Sequence, residues 1–517
     1  MRKRNSILNI MTGISSQIIL ILLGFFVRKI FVDIMGFELL GINGLFNSII
    51  AMLSLAELGI GGAIYFSLYK PLADNNHEQI SAIMQLYSKL YKYIALFVGI
   101  IGISLLPFIK IIAKVDVDQF YLNIIFLIFL TDAVLSYLLA YIKNIISADQ
   151  KNYVINTVQT CFSIIILVLQ GIIIITTHNF IIYLTVKLIM GIMSNLLFYY
   201  IARKRYPYLK EKNKIVLAPE IKSEIIKNAK ALFLVQMAVY FVSGTDNVLI
   251  AIFLGVSMVG IYSNYLLIIT TVTMLNAQVF SGITASFGNF LVNKSMKDAH
   301  RTYKIIFFFN FWLIAFCSTA LIVLLNPFIL MWLGNEAVLN QSIVIIIVTN
   351  FLCRGMNSSI GMVRNSAGLY SPYPFFKWWS IIEGILNLVL CILFLTVFDM
   401  GLFGILFAAT LSTQLNTLVL PWNTYKYVFK MNKSIYFRRY FYYIVFAIVI
   451  MTTTSFIADS ISFSNMYINF SFKALMCLII PNALIILAFK QTEEFKYIWE
   501  IIQKAMVNKF KRLENLS

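Results

Sequence analysis

Apolar runs long enough to span a bilayer recur along the whole chain, separated by short turns of glycine, proline and polar residues. Stretches such as Ile18 to Val27 and Ile343 to Val348 are apolar without a break, where a transmembrane β-strand would alternate apolar and polar side chains. The pattern therefore predicts helices throughout, an all-α integral membrane protein. Turn punctuation divides it into fourteen predicted spans, near 8–32, 41–67, 90–113, 120–146, 153–176, 180–202, 229–254, 258–290, 305–326, 340–363, 375–398, 402–425, 440–458 and 470–489. The opening Met1-Arg-Lys-Arg leads into a run of more than twenty residues without a small-residue cleavage site. The first run is thus expected to be a spanning helix and not a removed signal peptide.

Composition excludes a soluble enzyme. Of 517 residues, 60% are apolar and 12% charged, whereas a soluble domain is about half apolar and about a quarter charged. The five cysteines, Cys161, Cys317, Cys353, Cys391 and Cys477, all fall inside apolar runs without metal spacing, so neither disulfides nor a metal site are expected.

The net charge of +19 would suggest nucleic acid in a soluble protein, but in a polytopic one it reports topology. With the N-terminus placed in the cytoplasm, the inner connections, the inner ends of the spans and the two tails hold 34 of the 41 basic residues. The outer connections hold only Lys110 and Lys114, while seven acids, Asp33, Glu38, Asp116, Asp118, Glu336, Asp399 and Asp459, sit on the outer side. This asymmetry predicts a multi-pass protein of the bacterial cytoplasmic membrane with both termini inside, and no nucleic-acid partner.

The longest inner connection, Arg203 to Lys230, carries nine Lys or Arg together with Pro207 and Pro219, and it separates two halves that repeat. A shift of 219 places Met35-Gly36-Phe-Glu-Leu-Leu-Gly41-Ile42 on Leu254-Gly255-Val-Ser-Met-Val-Gly260-Ile261, each a short outer turn between the first two spans of a half. The same shift carries the loop after Ala63 onto that after Gly282. One further residue brings Leu106-Pro107-Phe108-Ile109 onto Asn326-Pro327-Phe328-Ile329, and a shift of 221 brings Lys143-Asn144 onto Arg364-Asn365. Because each copy holds an even number of spans, the copies enter the membrane from the same side and are parallel repeats about an axis along the membrane normal. The expected organisation is an N-terminal lobe (1–203), a basic linker (204–228), a C-terminal lobe (229–430), two extra helices (431–490) and a cytoplasmic tail (491–517).

This layout, with the opening Asn9-Ile-Met-Thr-Gly-Ile-Ser-Ser-Gln17, the segment Leu55-Ala-Glu57-Leu-Gly59-Ile-Gly61 and Gly244-Thr-Asp246-Asn-Val-Leu-Ile250, resembles the multidrug/oligosaccharidyl-lipid/polysaccharide (MOP) exporter superfamily. Within it the chain looks most like the polysaccharide-transport branch, the Wzx-type flippases of lipid-linked oligosaccharides. The resemblance covers residues 5 to 490. It implies two lobes in a V about a central cavity lined by the first, second, seventh and eighth spans, alternating between inward and outward openings.

Ionisable groups inside spans cost a few kcal/mol each on insertion scales, so they mark candidate sites. Glu57, ~24 Å along the second span from its outer end, is either a proton or cation-coupling site or a carboxyl hydrogen-bonded within its own lobe. The repeat puts Asn276 at the equivalent position. Arg28 aligns with Asn247, next to Asp246. Arg28 and Asp246 can pair to close an outer gate, or Arg28 can hold a phosphate, against a plainer role in which Arg28 snorkels to the headgroups beside Lys29. Asp132 and Arg354 lie at nearly repeat-equivalent positions, with Lys187 and Glu383 as further intramembrane charges. Arg354, with Arg364 and Lys377, can guide an anionic headgroup inward, although positive-inside topology accounts more simply for Arg364 and Lys377. His77, His178 and His300 fall in predicted loops, and no Ser-His-Asp, H-E-x-x-H or P-loop pattern appears, so no catalytic residue, metal or cofactor is expected.

The resemblance implies transport of an undecaprenyl-diphosphate-linked oligosaccharide from the inner to the outer leaflet for capsule, exopolysaccharide or O-antigen assembly. Its partners would be that lipid, membrane lipid, a coupling H+ or Na+ and the polymerase machinery. The competing readings are a drug/cation antiporter, a peptidoglycan-precursor flippase and, from a different class, a membrane polysaccharide polymerase. Short outer connections poor in Arg and His disfavour the last.

Overall fold

The computed structural model describes residues 2–54, 57, 67–210, 219, 223, 225–226, 244–293, 295–367 and 374–514, with side chains of 2–16, 374–378, 505–514 and a few others excepted. Among these residues it is all-helical. The helices are α1 (Arg2–Leu53), α2 (His77–Ala113), α3 (Gln119–Ala148), α4 (Asn152–Thr177), α5 (Phe180–Arg205), α6 (Asp246–Leu254) and α7 (Val256–Asn293), then α8 (Met296–Leu333), α9 (Gln341–Ser366), α10 (Pro374–Thr396), α11 (Gly401–Thr424), α12 (Ser434–Ser460), α13 (Met466–Phe489) and α14 (Glu493–Glu514). Among the described residues ten are long and apolar enough to cross a membrane, and α10 adds the shorter apolar helix Ile381–Thr396. The chain is a multi-pass membrane protein. Most of the predicted span 229–254, the basic linker and the turn after Ala63 lie outside the described residues.

Polar residues placed just ahead of the apolar runs start the helices. Asn76, Asp118, Asn179, Ser295, Asn340 and Asn465 each accept from a backbone N–H of the first turn, satisfying donors that lipid would leave orphaned. Lys114, His178 and Lys430 end helices in the left-handed region. The first two predicted spans meet within α1 at a kink, Gly36, whose φ of 77° requires glycine. His300 is a correction to the expected loop: it lies one turn into α8, buried, with its ring Nε2 3.0 Å from the Tyr425 hydroxyl.

By contact the chain forms two compact units, Met1–Ser263 and Asn264–Ser517. In the first, α1 packs on α4, α3 on α2 and α5, and α4 on α5. Gly102 of α2 makes room for Leu130 of α3, and Phe46 of α1 meets Phe126 and Phe129 edge-on, at centroid distances of 5.2 and 5.9 Å. The stretch of α1 after Gly36 crosses the start of α7 at two glycines. A Cβ on Gly41 would collide with the carbonyl of Val256, and one on Gly260 with the carbonyl of Phe37. These are repeat mates at the shift of 219: Phe37 corresponds to Val256 and Gly41 to Gly260. The crossing is therefore isologous, the geometry a two-fold axis imposes on small-residue helix contacts.

In the second unit α8 is central, packing on α9, α12, α13 and the tail helix α14. Its aromatic face stacks Phe307 on Tyr436 (5.2 Å) and Phe311 on Tyr443 (4.4 Å). Pro107 and Pro327, matched by the repeat, behave differently. Pro107 sits in a 3-10 turn within α2, whereas Pro327 lies inside α8.

Candidate functional site

α3 supplies the first wall of a site inside the first unit. Positions 129, 132, 133, 136 and 137 recur at three- and four-residue spacing, so Phe129, Asp132, Ala133, Ser136 and Tyr137 share one face. Lys143 follows three turns after Asp132, ~16 Å along the axis. All of them line a cavity of about 590 Å³ completed by residues of α1, α4 and α5 and by Glu57. Its other polar walls include Gln17 and Asn47 of α1, Asn156 and Gln159 of α4, and Asn195 of α5. An apolar bundle that needed only to pack would fill such a volume with hydrocarbon side chains, whereas these groups keep it polar enough to hold water or ions.

Three charged side chains, Glu57, Asp132 and Lys143, line it, and a fourth, Lys187, lies beyond the lining. Lys143 lies within electrostatic reach of both Glu57 and Asp132, and Lys187 within reach of Asp132. Glu57 accepts a hydrogen bond of 3.4 Å from the Tyr91 hydroxyl, which in turn accepts one of 3.5 Å from Asn144 Nδ2. Tyr137 donates to Ser54 Oγ. Each ammonium also rests over a ring: Lys143 Nζ is 4.9 Å from the Phe198 centroid and Lys187 Nζ 5.4 Å from that of Phe129, within the range of a cation–π attraction. Gly191 of α5 leaves the space that Asp132 fills, since a Cβ there would stand 3.1 Å from Oδ1. Two carboxylates with two ammoniums make a balanced set.

The remaining sequence candidates fall in three places. Arg28 of α1 donates through Nη2 to Ser263 Oγ and is partly buried. Lys29 turns away to Asp33, 2.7 Å, on an exposed face. Asp246 is the first residue of α6, and Asn247, the repeat mate of Arg28, donates to Ser48 Oγ of α1 at 2.9 Å. In the second unit Glu383 of α10 is buried with Arg354 of α9 as its electrostatic partner. One turn further, Asn387 accepts from Ser412 Oγ of α11 at 3.4 Å. Asn276 is buried on α7 and hydrogen-bonded to Cys317.

The structure thus brings Glu57 and Asp132 together in one cavity, with Lys187 within electrostatic reach of Asp132, and in the second unit it pairs Arg354 with Glu383 and buries Asn276 on α7. Sequence reasoning missed Lys143, Tyr91, Asn144 and Gly191 as parts of the site. For Lys143 the signal was its place on the helix of Asp132 at a spacing of eleven residues. Its position near an inner helix end gave it a topological explanation instead.

Among solved structures the chain is similar to the lipid II flippase MurJ in an inward closed conformation, with a TM-score of 0.67 and 15% identity over 94% of this chain and 99% of that one. It is similar to a multidrug resistance MATE family transporter of the MOP superfamily in an inward-facing conformation, at 0.56 and 13% identity over 79% of this chain and 96% of that one. A MOP superfamily transporter from Pyrococcus furiosus, described as having a binding pocket of reverse polarity, follows at 0.50 and 14% identity, over 81% and 93%. No family model matches the chain, and no curated protein matches it. These likenesses define the fold, that of the MOP-superfamily transporters.

Proposed function

We propose that the protein is a flippase that moves a polyprenyl-diphosphate-linked oligosaccharide, undecaprenyl-linked in a bacterial membrane, from the inner to the outer leaflet for polysaccharide assembly. The observation that carries this reading is the charged, polar cavity inside an apolar helical unit. Such charges are costly in a membrane and belong to pathways for ions or polar headgroups. The choice of a lipid-linked substrate draws support from the full-length likeness to a lipid II flippase, against the shorter share matched by the MATE transporter.

The physical task is to carry a sugar diphosphate that hydrocarbon excludes. Arg28, held by Ser263 on the outer half of α1, and Arg354 provide guanidinium groups that can replace phosphate hydration, and Asp246 lies at the repeat-equivalent level of the outer side. With the cytoplasm negative, outward movement of ~2 negative charges gains ~4 to 5 kcal/mol per 100 mV. Exchange of a proton or sodium ion at Glu57 and Asp132, with Lys143 as the internal counter-charge, would reset the carrier.

The test is deletion of the gene followed by complementation with wild type, Arg28→Ala, Glu57→Gln and Asp246→Asn at equal expression. Lipid-linked oligosaccharide should accumulate on the cytoplasmic leaflet and be cleared by wild type alone. Absence of any lipid-linked intermediate, with a rise in drug sensitivity instead, would replace this reading with an antiporter.

A further inference from the structure

The connection between α11 and α12 forms a second polar concavity, in the second unit. The helix α11 runs on through a π-turn, Tyr425–Phe429, to a left-handed Lys430 (φ 53°), and only four residues later α12 begins. A cavity of about 440 Å³ is lined by Trp422, Lys426, Lys430, Met431, Asn432 and Lys433. Three ammonium groups border it, and among the described residues none of them is ion-paired with a carboxylate.

The basic residues here are held in place. On the inner face of the turn Tyr425 and Phe429 are buried against Tyr303 and His300 of α8, and Tyr436 is buried just after Lys433. The N–H groups of Lys430 and Met431 both reach the Tyr425 carbonyl. Lys433 Nζ lies 3.1 Å from the centroid of the half-exposed Trp422 ring. Lysines needed only to set topology require no such fixed arrangement.

We propose that this pocket binds the phosphate headgroup of an anionic phospholipid of the inner leaflet. The side is set by the excess of basic residues that marks the cytoplasmic face. A lipid is favoured over a free anion because an exposed apolar stripe leads away from the pocket along α11, through Trp422, Leu418 and Leu411. Those positions share a helix face, and an acyl chain can lie along it. Basic pockets beside transmembrane helices on the cytoplasmic side recognise anionic headgroups in this way.

The test uses the full chain, purified and delipidated in detergent, with phosphatidylglycerol, phosphatidylcholine and inorganic phosphate as probes. Lipid retention is read by native mass spectrometry and stability by thermal melting. Phosphatidylglycerol should be retained and should raise the melting temperature, whereas phosphatidylcholine and inorganic phosphate should not. The triple variant Lys426→Gln, Lys430→Asn, Lys433→Gln, with asparagine chosen to suit the left-handed position, should lose ~10-fold or more in apparent affinity. A charge-matched control on exposed lysines elsewhere, Lys204→Gln, Lys297→Gln, Lys496→Gln, should not. Equal loss in both variants would reduce the effect to diffuse charge and overturn the proposal. A gain produced by phosphate alone, or equal retention of the two lipids, would overturn it as well. The lipid comparison on the unmodified protein decides the matter even where the triple variant fails to fold.

Discussion

Lys143 holds the charge balance of the cavity in the first unit, because among the described residues it is the ammonium within reach of both Glu57 and Asp132. Removing it leaves Glu57 without that ammonium and Asp132 with Lys187 alone, in a low-dielectric bundle where unpaired charge is penalised. Lys143→Met should lower stability by ~1–3 kcal/mol and abolish complementation, with Lys143→Arg retaining part of both. Melting temperature and the cellular assay measured on the same preparations check this, and a fully active Lys143→Met protein would remove the residue from the site. The intramembrane acids were legible in the sequence because each interrupts an apolar run. Lys143, Tyr91 and Asn144 were not, since a lysine, a tyrosine or an asparagine near a helix end has an ordinary interfacial role. Only the packing of α2 against α3 shows that Tyr91 and Asn144 relay to Glu57.

The repeat was the most informative element-level feature of the sequence, and the glycine crossing of α1 and α7 gives it physical content. Gly41 and Gly260 matched at a constant shift because each must admit the other segment's carbonyl. A larger side chain at either position separates the two segments, and overpacking of this kind costs typically ~1–3 kcal/mol. Gly41→Leu and Gly260→Leu should each lower the melting temperature. An unchanged melting temperature in both variants would contradict the account. The tail helix α14 carries a second prediction. Burial alone would push the Glu494 carboxyl up, but its 2.7 Å hydrogen bond from Arg439, a backbone hydrogen bond and the charges of Arg439 and Lys304 hold it below the usual carboxylate value. Its stabilisation is therefore complete above the ordinary carboxylate value and is lost as pH falls through the lowered one. Melting curves of wild type and Glu494→Gln should differ most near neutral pH and converge in acid. The single non-helical residue Gly36 divides α1, and hydropathy sees it only as a turn between two spans.

For the whole molecule, periodicity and charge asymmetry sufficed to read an all-helical, multi-pass membrane protein, because lipid leaves the backbone few alternatives. The shape of the cavity was not readable, since it depends on which faces of α1, α3, α4 and α5 meet, and an apolar helix hides its inward face among lipid-facing residues of the same kind. Large apolar side chains such as Phe26, Ile111 and Phe456 stand exposed, as expected of surfaces that face lipid. Function rests on the headgroup that crosses, and the most direct measurement is made on the purified protein in proteoliposomes. A fluorescent polyprenyl-diphosphate oligosaccharide placed in one leaflet should become accessible from the other when wild-type protein is present and a membrane potential is imposed. Arg28→Ala and Glu57→Gln should slow this at unchanged incorporation. Transfer no faster than in protein-free vesicles, alongside uptake of a cationic drug, would contradict the account.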